Sequence, residues 1–297
     1  MSFPLSPEFA ARVRRNEPLS RHTSWHVGGP AELFFSPRDR SDLAAFLRAL
    51  TPEVPVHWIG LGSNLLVRDG GIKGVVISTH GALEALGRLD ENSVRAEAGV
   101  ACARIARQCI KWGLGPAEFF AGIPGTLGGA LAMNAGAFGG ETWQHVFAVE
   151  TIDRAGRMHK RASSEYRIGY REVVAPVPEE WFLQASLRFE HKPGAHPGEV
   201  RELLARRRQS QPIGEWSCGS VFTNPPGDHA ARLIEAAGLK GFRIGGASVS
   251  EKHANFIINH GEASAADLER LIGHVRETVE RVHGVALKPE VRIVGVP

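Results

Sequence analysis

Two glycine turns carry the chemistry that residue type and spacing can show. In "WIGLGSNLLV" (58–67), Gly60 and Gly62 directly follow an apolar run, with Ser63 and Asn64 behind them. Glycine tolerates positive φ, and a chain that turns its N–H groups inward makes a nest for an anion. Ser63 and Asn64 would add donors. The second turn is larger. In "GIPGTLGGALAMNAGAFGGE" (122–141), seven of twenty residues are glycine, and nothing from Phe119 to Gly140 is charged. Gly122, Gly125, Gly128 and Gly129, with Thr126 among them, would let a flat ring or a pyrophosphate approach main-chain donors that side chains would otherwise shield.

Three readings of the second stretch compete. It is long enough to span a membrane, but Ile123, Leu127, Leu131 and Met133 are its only large aliphatics. Pro124 and the glycines would leave its backbone poorly satisfied in lipid. A floppy linker would carry Ser, Gln or charge, and would not be flanked by Phe119 and Phe120. The third reading is a backbone surface shaped to hold a ligand. Neither turn is a standard nucleotide motif: there is no GxxxxGK[ST], and Leu65 stands where GxGxxG needs its third glycine. Singly each reads as a tight structural turn. Together in one α/β unit they favour a dinucleotide held by two loops.

The elements that position these turns follow from periodicity. "DLAAFLRAL" after Ser41, the expected N-cap, puts Leu43, Phe46, Leu47 and Leu50 on one helical face. "VPVHWI", "KGVVIS", "SVRAEAG", "VFAVETI" and "WFLQASLRFE" read as strands, and "CARIARQCIKWG" as a helix ended by Gly113. A Pro/Gly linker at "HKPGAHPGE" (191–199) separates a second α/β unit. It holds "EVRELLARRR", "DHAARLIEAAG" with Asp228 as N-cap, and "ADLERLIGHVRETVERVHG". The last carries an apolar stripe of Leu268, Leu271, Ile272, Val275, Val279 and Val282. Strands "HANFIIN" and "EVRIVG" complete it.

Bulk properties exclude some classes. A 297-residue chain is near the limit for one core, so two or three domains are expected. A net charge of +3 argues for neither nucleic acid nor a membrane surface as partner. Arg206, Arg207 and Arg208 read as a solvated helix face. Cys102, Cys109 and Cys218 show no CxxC spacing, which points to free thiols in a reducing cytosol, and no metal set is apparent. The N-terminal stretch "MSFPLSPEFAARVRRNEP" has no apolar run of signal-peptide length, so a cytoplasmic location is expected.

The order of motifs is more specific than any one of them. "TSWHVGGPAELFF", "GLGSNLL", "FFAGIPGTLGGALAMNAGAFGGE", "YRIGYRE", "SCGSVFTNP", "AAGLKG", "HANFIIN" and "LKPEVRIVG" succeed one another along nearly the whole chain. This succession resembles the UDP-N-acetylmuramate dehydrogenases, also called UDP-N-acetylenolpyruvoylglucosamine reductases. The short spacing from "GYRE" to "GSVF" resembles the family's second, shorter subtype, which lacks an inserted tyrosine loop. His26 stands where the family often has Arg, and Val173 where it commonly has Ser; both are peripheral to the chemistry.

The resemblance implies an α+β fold. An FAD-binding region of the vanillyl-alcohol oxidase-like (PCMH) type would cover residues 1–195, as subdomains of about 1–75 and 76–195. A smaller α/β substrate-binding domain, 196–297, would follow, with the C-terminal strand contributing to the active site. It implies non-covalent FAD held by Gly60, Leu61, Gly62, Ser63, Asn64 and Leu65. Gly122, Ile123, Pro124, Gly125, Thr126, Gly128, Gly129, Asn134 and Gly136 would complete the cofactor site. NADPH is the implied co-substrate. The implied substrate is UDP-N-acetylglucosamine enolpyruvate, whose double bond is conjugated to a carboxylate and accepts hydride at the β carbon. No oligomeric state is implied.

Three residues match the family's catalytic positions. Arg171 would be the fixed cation for charge developing on the carboxylate, a type of contribution worth roughly 3–4 kcal/mol. Glu290 would sit on the same carboxylate, protonated and with a raised pKa in the complex. Ser220 would protonate the α carbon, a contribution of about 10²–10⁴-fold. Asn224 matches a substrate-contacting position, and Tyr166 and Lys252 are further candidates for substrate or nicotinamide contact. Without the resemblance, Arg171 reads as a surface ion pair, Glu290 as a solvated strand-edge carboxylate, and Ser220 as a turn serine. Cys218 reads as a small buried side chain rather than a nucleophile. The competing activities are a sugar or lactone oxidase of the same architecture and a non-catalytic nucleotide-sugar binding module.

Overall fold

The computed structural model describes residues 6–297. The first five residues, part of the N-terminal stretch in which no signal sequence was read, lie outside the described residues. Helices are α1 (Pro7–Ala10), α2 (Arg40–Ala49), α3 (Cys102–Lys111), α4 (Leu127–Met133), α5 (Pro197–Ser210), α6 (Ala230–Ala236) and α7 (Ala265–His283). Most lie where apolar periodicity places them, but capping differs. Helix α2 is capped by Asp39, whose carboxylate accepts from the Asp42 N–H, so it begins before Ser41. His229 holds the N-cap position of α6 without a side-chain cap bond, and Asp228 spends its carboxylate on the His229 N–H and on Arg232. Helix α7 has Ser264 and Asp267 in a reciprocal capping box and ends at left-handed Gly284. Its buried stripe stops at Val279, since Val282 is exposed.

The chain forms two compact units. One gathers the described residues through Arg14, Phe34–Gly60 and Gly74–Ala205. Its frame is an antiparallel sheet ordered Met158–Ala162, Val146–Asp153, Glu180–Arg188, Ser93–Glu97, Leu86–Arg88. Helices α3 and α4 share its core, which includes Val94, Ile105, Phe120, Leu127, Leu131, Trp143 and Leu187. Arg40, in the first turn of α2, bonds to Glu97 (2.8 Å), to Glu150 (2.7 Å) and to Gln184, tying that helix to the sheet.

The other unit gathers Arg15–Leu33, Leu61–Lys73 and Arg206–Pro297. This differs from boundaries at 75 and 195, because two N-terminal stretches pack with the C-terminal residues. The reason lies in their pairing. Leu65–Val67 runs parallel to Arg292–Val294. Arg68 grips Glu269 with two bonds of 2.8 and 2.9 Å. Asp69 accepts the first two N–H groups of α7, both at 3.0 Å. Buried Trp25 donates its indole N–H to the Ile257 carbonyl at 2.8 Å. Trp25, Leu66, Phe222, Ile234, Leu268 and Leu271 lie in one core. Among the described residues no helix is long and apolar enough to cross a membrane.

Candidate active site

The glycine-rich stretch is not a loop throughout: it closes into α4 and then a tight hairpin, Gly136–Ala137 against Gly140–Glu141. Several of its N–H groups, expected to face a ligand, are already donated within the protein. Leu127 N–H bonds to Val100 O and Gly128 N–H to Ala98 O, both at 2.8 Å, and Gly125 N–H to Ile123 O at 2.9 Å. Nor do its ligand-facing glycines need positive φ; Gly122, Gly128 and Gly136 lack side chains because there is no room. An added Cβ would lie 2.6 Å from the Ala137 Cβ at Gly122, and 2.3 Å from the Gly140 carbonyl at Gly136. Pro124 and Gly129 are exposed and Gly125 half-buried, so the open main chain is there; Ile123 is buried.

The first turn shows a similar division. Gly62 is left-handed (φ 60°), and a Cβ there would fall 2.0 Å from the His22 carbonyl. Gly60 does not have positive φ, contrary to the nest reading. It is glycine because a Cβ would meet Thr126 Oγ1 at 2.3 Å. Asn64 donates its amide to the Glu290 carbonyl, and its own carbonyl accepts from Arg292 N–H, both at 3.1 Å. Leu65 opens the strand paired with Arg292, and Leu61 and Ser63 keep partly accessible side chains. Thus Asn64 and Leu65 act on the C-terminal strand.

Two hydroxyls mark where a cofactor fits. Thr126 is buried, yet its Oγ1 has no hydrogen-bond partner in the protein; neither does the buried Oγ of Ser24, whose N–H bonds to Gly62 O at 3.3 Å. Buried orphan donors ask for a partner. Each glycine turn thus carries, within its own unit, an orphan hydroxyl of the kind a phosphate oxygen satisfies. Sequence reading placed Thr126 in the site but passed over Ser24, although it stands in the quoted "TSWHVGG".

Arg171 sits in the two-residue turn between strands Arg167–Gly169 and Glu172–Val174. It is left-handed at φ 55°, which costs a non-glycine residue about 1–2 kcal/mol. Its guanidinium is mostly buried, with 17% of the side chain exposed. Nη1 donates to the Asn134 carbonyl and Nη2 to the Gly136 carbonyl, each at 3.2 Å, and the Glu141 carboxylate lies 3.8 Å away. The hairpin delivers the Glu141 carboxylate beside it. Asn134, expected to touch cofactor, is a buried left-handed cap at the end of α4. Its amide is spent on Glu141 (2.9 Å), Gly169 O (3.0 Å) and Trp143 N–H (3.1 Å). Tyr166 packs against Trp143 and Phe182, and burial pushes its hydroxyl pKa up to about 12. It is a core wall, where sequence reading had a ligand contact.

The other unit brings Ser220 and Glu290 together. Glu290 N–H donates to Val221 O at 2.8 Å, and Phe222 bridges to Pro289. Buried Asn255 holds this segment by exchanging two bonds with the Phe222 main chain, of 3.0 and 2.8 Å. Its only sequence signal is one of two amides in the apolar "HANFIIN". Gly219, at φ 81°, makes the turn that leads into Ser220. Burial, with the Glu290 carboxylate adding to it, pushes the Cys218 thiol well above its ordinary value, leaving no reactive thiolate. Asn224 accepts Ala230 N–H at 3.1 Å and so caps α6, while its side chain stays exposed. Lys252 gives its ammonium to the Arg208 carbonyl. The solvated Arg triplet is also revised: Arg207 is half-buried and bonds to Gln211, and burial lowers its pKa. Among the described residues no His, Cys, Asp and Glu cluster could hold a metal ion.

Comparison with known proteins adds a second line. Residues 31–161 match the family described as FAD binding domain, and residues 211–294 the UDP-N-acetylenolpyruvoylglucosamine reductase C-terminal domain. The chain is 60% identical over 286 residues to a UDP-N-acetylenolpyruvoylglucosamine reductase of Alkalilimnicola ehrlichii, covering 95% of each chain. It is 57% identical to one of Methylococcus capsulatus, over 94% of this chain and 92% of that one. A crystal structure of a UDP-N-acetylenolpyruvylglucosamine reductase from Thermus caldophilus superposes with a TM-score of 0.80 at 33% identity, covering 95% of this chain and 98% of that one.

Proposed function

This chain belongs to the UDP-N-acetylenolpyruvoylglucosamine reductase family, and from that premise we propose how its own residues perform the reaction. The activity is the NADPH-dependent, FAD-mediated reduction of UDP-N-acetylglucosamine enolpyruvate to UDP-N-acetylmuramate, a step of peptidoglycan precursor synthesis. Bound FAD supplies the hydride that adds to the substrate's β carbon.

The chain's residues manage charge and the proton. As hydride arrives, negative charge moves into the substrate carboxylate. Arg171 faces that charge with a guanidinium already fixed by two carbonyls, so little reorganisation is needed at the moment of reaction. Glu290, protonated in the complex, donates a hydrogen bond to the same carboxylate. Ser220 gives its hydroxyl proton to the α carbon and is reprotonated from solvent. The orphan hydroxyl of Thr126 would hold a phosphate oxygen of non-covalent FAD, and that of Ser24 would offer a further donor. Asn224, through the amide nitrogen left after it caps α6, contacts the substrate. The enzyme works in the cytoplasm, and its product supports wall growth and cell division.

The observation that supports the residue assignment is the main-chain pairing of Glu290 with Val221, the residue after Ser220. Stopped-flow of Ser220→Ala tests it. NADPH should bleach the flavin band at a near-normal rate, because that step needs no proton on substrate carbon. Reoxidation by the enolpyruvyl substrate should slow by about 10²-fold or more. Equal slowing of both steps would make Ser220 a shape-holding residue; no slowing would remove it from the mechanism.

A further inference from the structure

The glycine-rich stretch divides into two halves with different partners. Its first half carries the exposed main chain and the Thr126 hydroxyl. Its second half, 134–141, points its polar groups at the turn bearing Arg171. Five contacts make this connection. The Asn134 and Gly136 carbonyls each accept from Arg171 at 3.2 Å. The Asn134 amide holds the turn's own Gly169 carbonyl at 3.0 Å. Glu141 accepts from that amide at 2.9 Å and stands 3.8 Å from the guanidinium.

We propose that Asn134 and Glu141 are positioning residues that hold Arg171, turn and guanidinium together, in the pose that receives the substrate carboxylate. The inference rests on the role given to Arg171 above. The geometry distinguishes it from general packing. Arg171 is left-handed without being glycine, so the turn would relax if unclamped. The clamp reaches both the backbone of the turn and the tip of the side chain. It is anchored at Asn134, the left-handed cap of α4, whose three side-chain bonds leave it no other orientation. Gly136 can offer its carbonyl only because it lacks a Cβ, which would collide with Gly140 in the hairpin. The motif "NAGAFGGE" is therefore read as an arginine clamp, and one segment ties the cofactor region to the substrate's counter-ion.

The test uses the FAD-loaded enzyme with Glu141→Gln and Asn134→Ala, each alone and combined with Arg171→Ala. A misplacement of about 1 Å can cost on the order of 10²-fold. Each single variant should therefore slow reoxidation by the enolpyruvyl substrate about 10- to 100-fold. Bleaching by NADPH should stay near normal. Calorimetric affinity for UDP-N-acetylmuramate should fall in parallel, since its carboxylate loses the same partner. In the Arg171→Ala background neither change should slow reoxidation further, because the group being positioned is gone. Additive losses overturn the inference, as do wild-type reoxidation rates. So does loss of flavin, or equal slowing of both half-reactions, in both single variants: that outcome makes 134–141 a structural hairpin. If Arg171→Ala itself reoxidises normally, the role given to Arg171 has failed instead.

Discussion

Gly60→Ala probes the contact between the two glycine turns. The added Cβ would lie 2.3 Å from Thr126 Oγ1 and 3.2 Å from both Thr126 Cβ and Cγ2. Carbon atoms prefer about 3.5–4.0 Å. Rotating Thr126 moves Oγ1 away but brings Cγ2 or leaves Cβ in conflict, so no rotamer removes the clash. Thr126 is buried and leads directly into α4, so the helix start must shift. Overpacking of this kind costs about 1–3 kcal/mol. At about 2–4 °C per kcal/mol for units of this size, the Tm of the flavin-free protein should drop by several degrees. FAD affinity should also fall, by about tenfold if one hydrogen bond from Thr126 is lost. Scanning calorimetry of the apoprotein gives the first number, and flavin fluorescence titration the second. Gly60→Ala/Thr126→Ala should recover most of the Tm loss, since two of the three colliding atoms are gone. Thr126→Val should weaken FAD without lowering the apoprotein Tm, because it removes a hydroxyl the protein itself leaves unpaired. An unchanged Tm in Gly60→Ala, or no recovery in the double variant, would refute the steric account.

Acid precipitation should release all the yellow colour into the supernatant, as non-covalent FAD requires; colour retained in the pellet would contradict this. Stability should fall as pH drops below about 6.5, because burial lowers the pKa values of His57, His145 and His253. These rings stay neutral in the native state while the unfolded chain binds protons, so acid favours unfolding. Asp42, held low by Arg12, and Glu180, held low by Arg161, continue the same trend at more acidic pH. Melting curves from pH 8 to 5 check the sign, and a Tm that rises with acid would refute it. His145→Phe, between the rings of Phe119 and Phe189, should flatten the decline.

Where periodicity is strong, the chain is legible. The apolar stripe beginning at Leu268 places α7, read over 266–284, within a residue of its observed bounds. Long-range pairing is not legible in the same way. Nothing near residues 61–73 announces that Leu65–Val67 will pair with Arg292–Val294, or that Asp69 will cap a helix beginning at Ala265. That is why a boundary near 75 looks natural in sequence and is absent from the fold. Asn134 and Tyr166 mark the same gap at the site. A buried Asn with three bonds and a Tyr packed against Trp143 look in sequence like polar groups free for a ligand.

Backbone conformation is the part that no residue name discloses. Asn16, His26, Asn134, Phe138, Arg171 and Glu179 are the non-glycine residues with positive φ among those described. Such strain marks function only with a second observation. Asn16 and Glu179 are exposed, with nothing that requires the conformation. Asn is among the residues best suited to a left-handed cap, so Asn134 needs no functional explanation for its φ. Arg171 has no such affinity for the left-handed region, and glycine would relieve its turn. What glycine would lose is a mostly buried guanidinium held by two carbonyls at 3.2 Å, with the Glu141 carboxylate at 3.8 Å. A cation already fixed in place is what a transiently charged substrate needs. On that ground, rather than on strain alone, the local cost at Arg171 fits the role proposed for it.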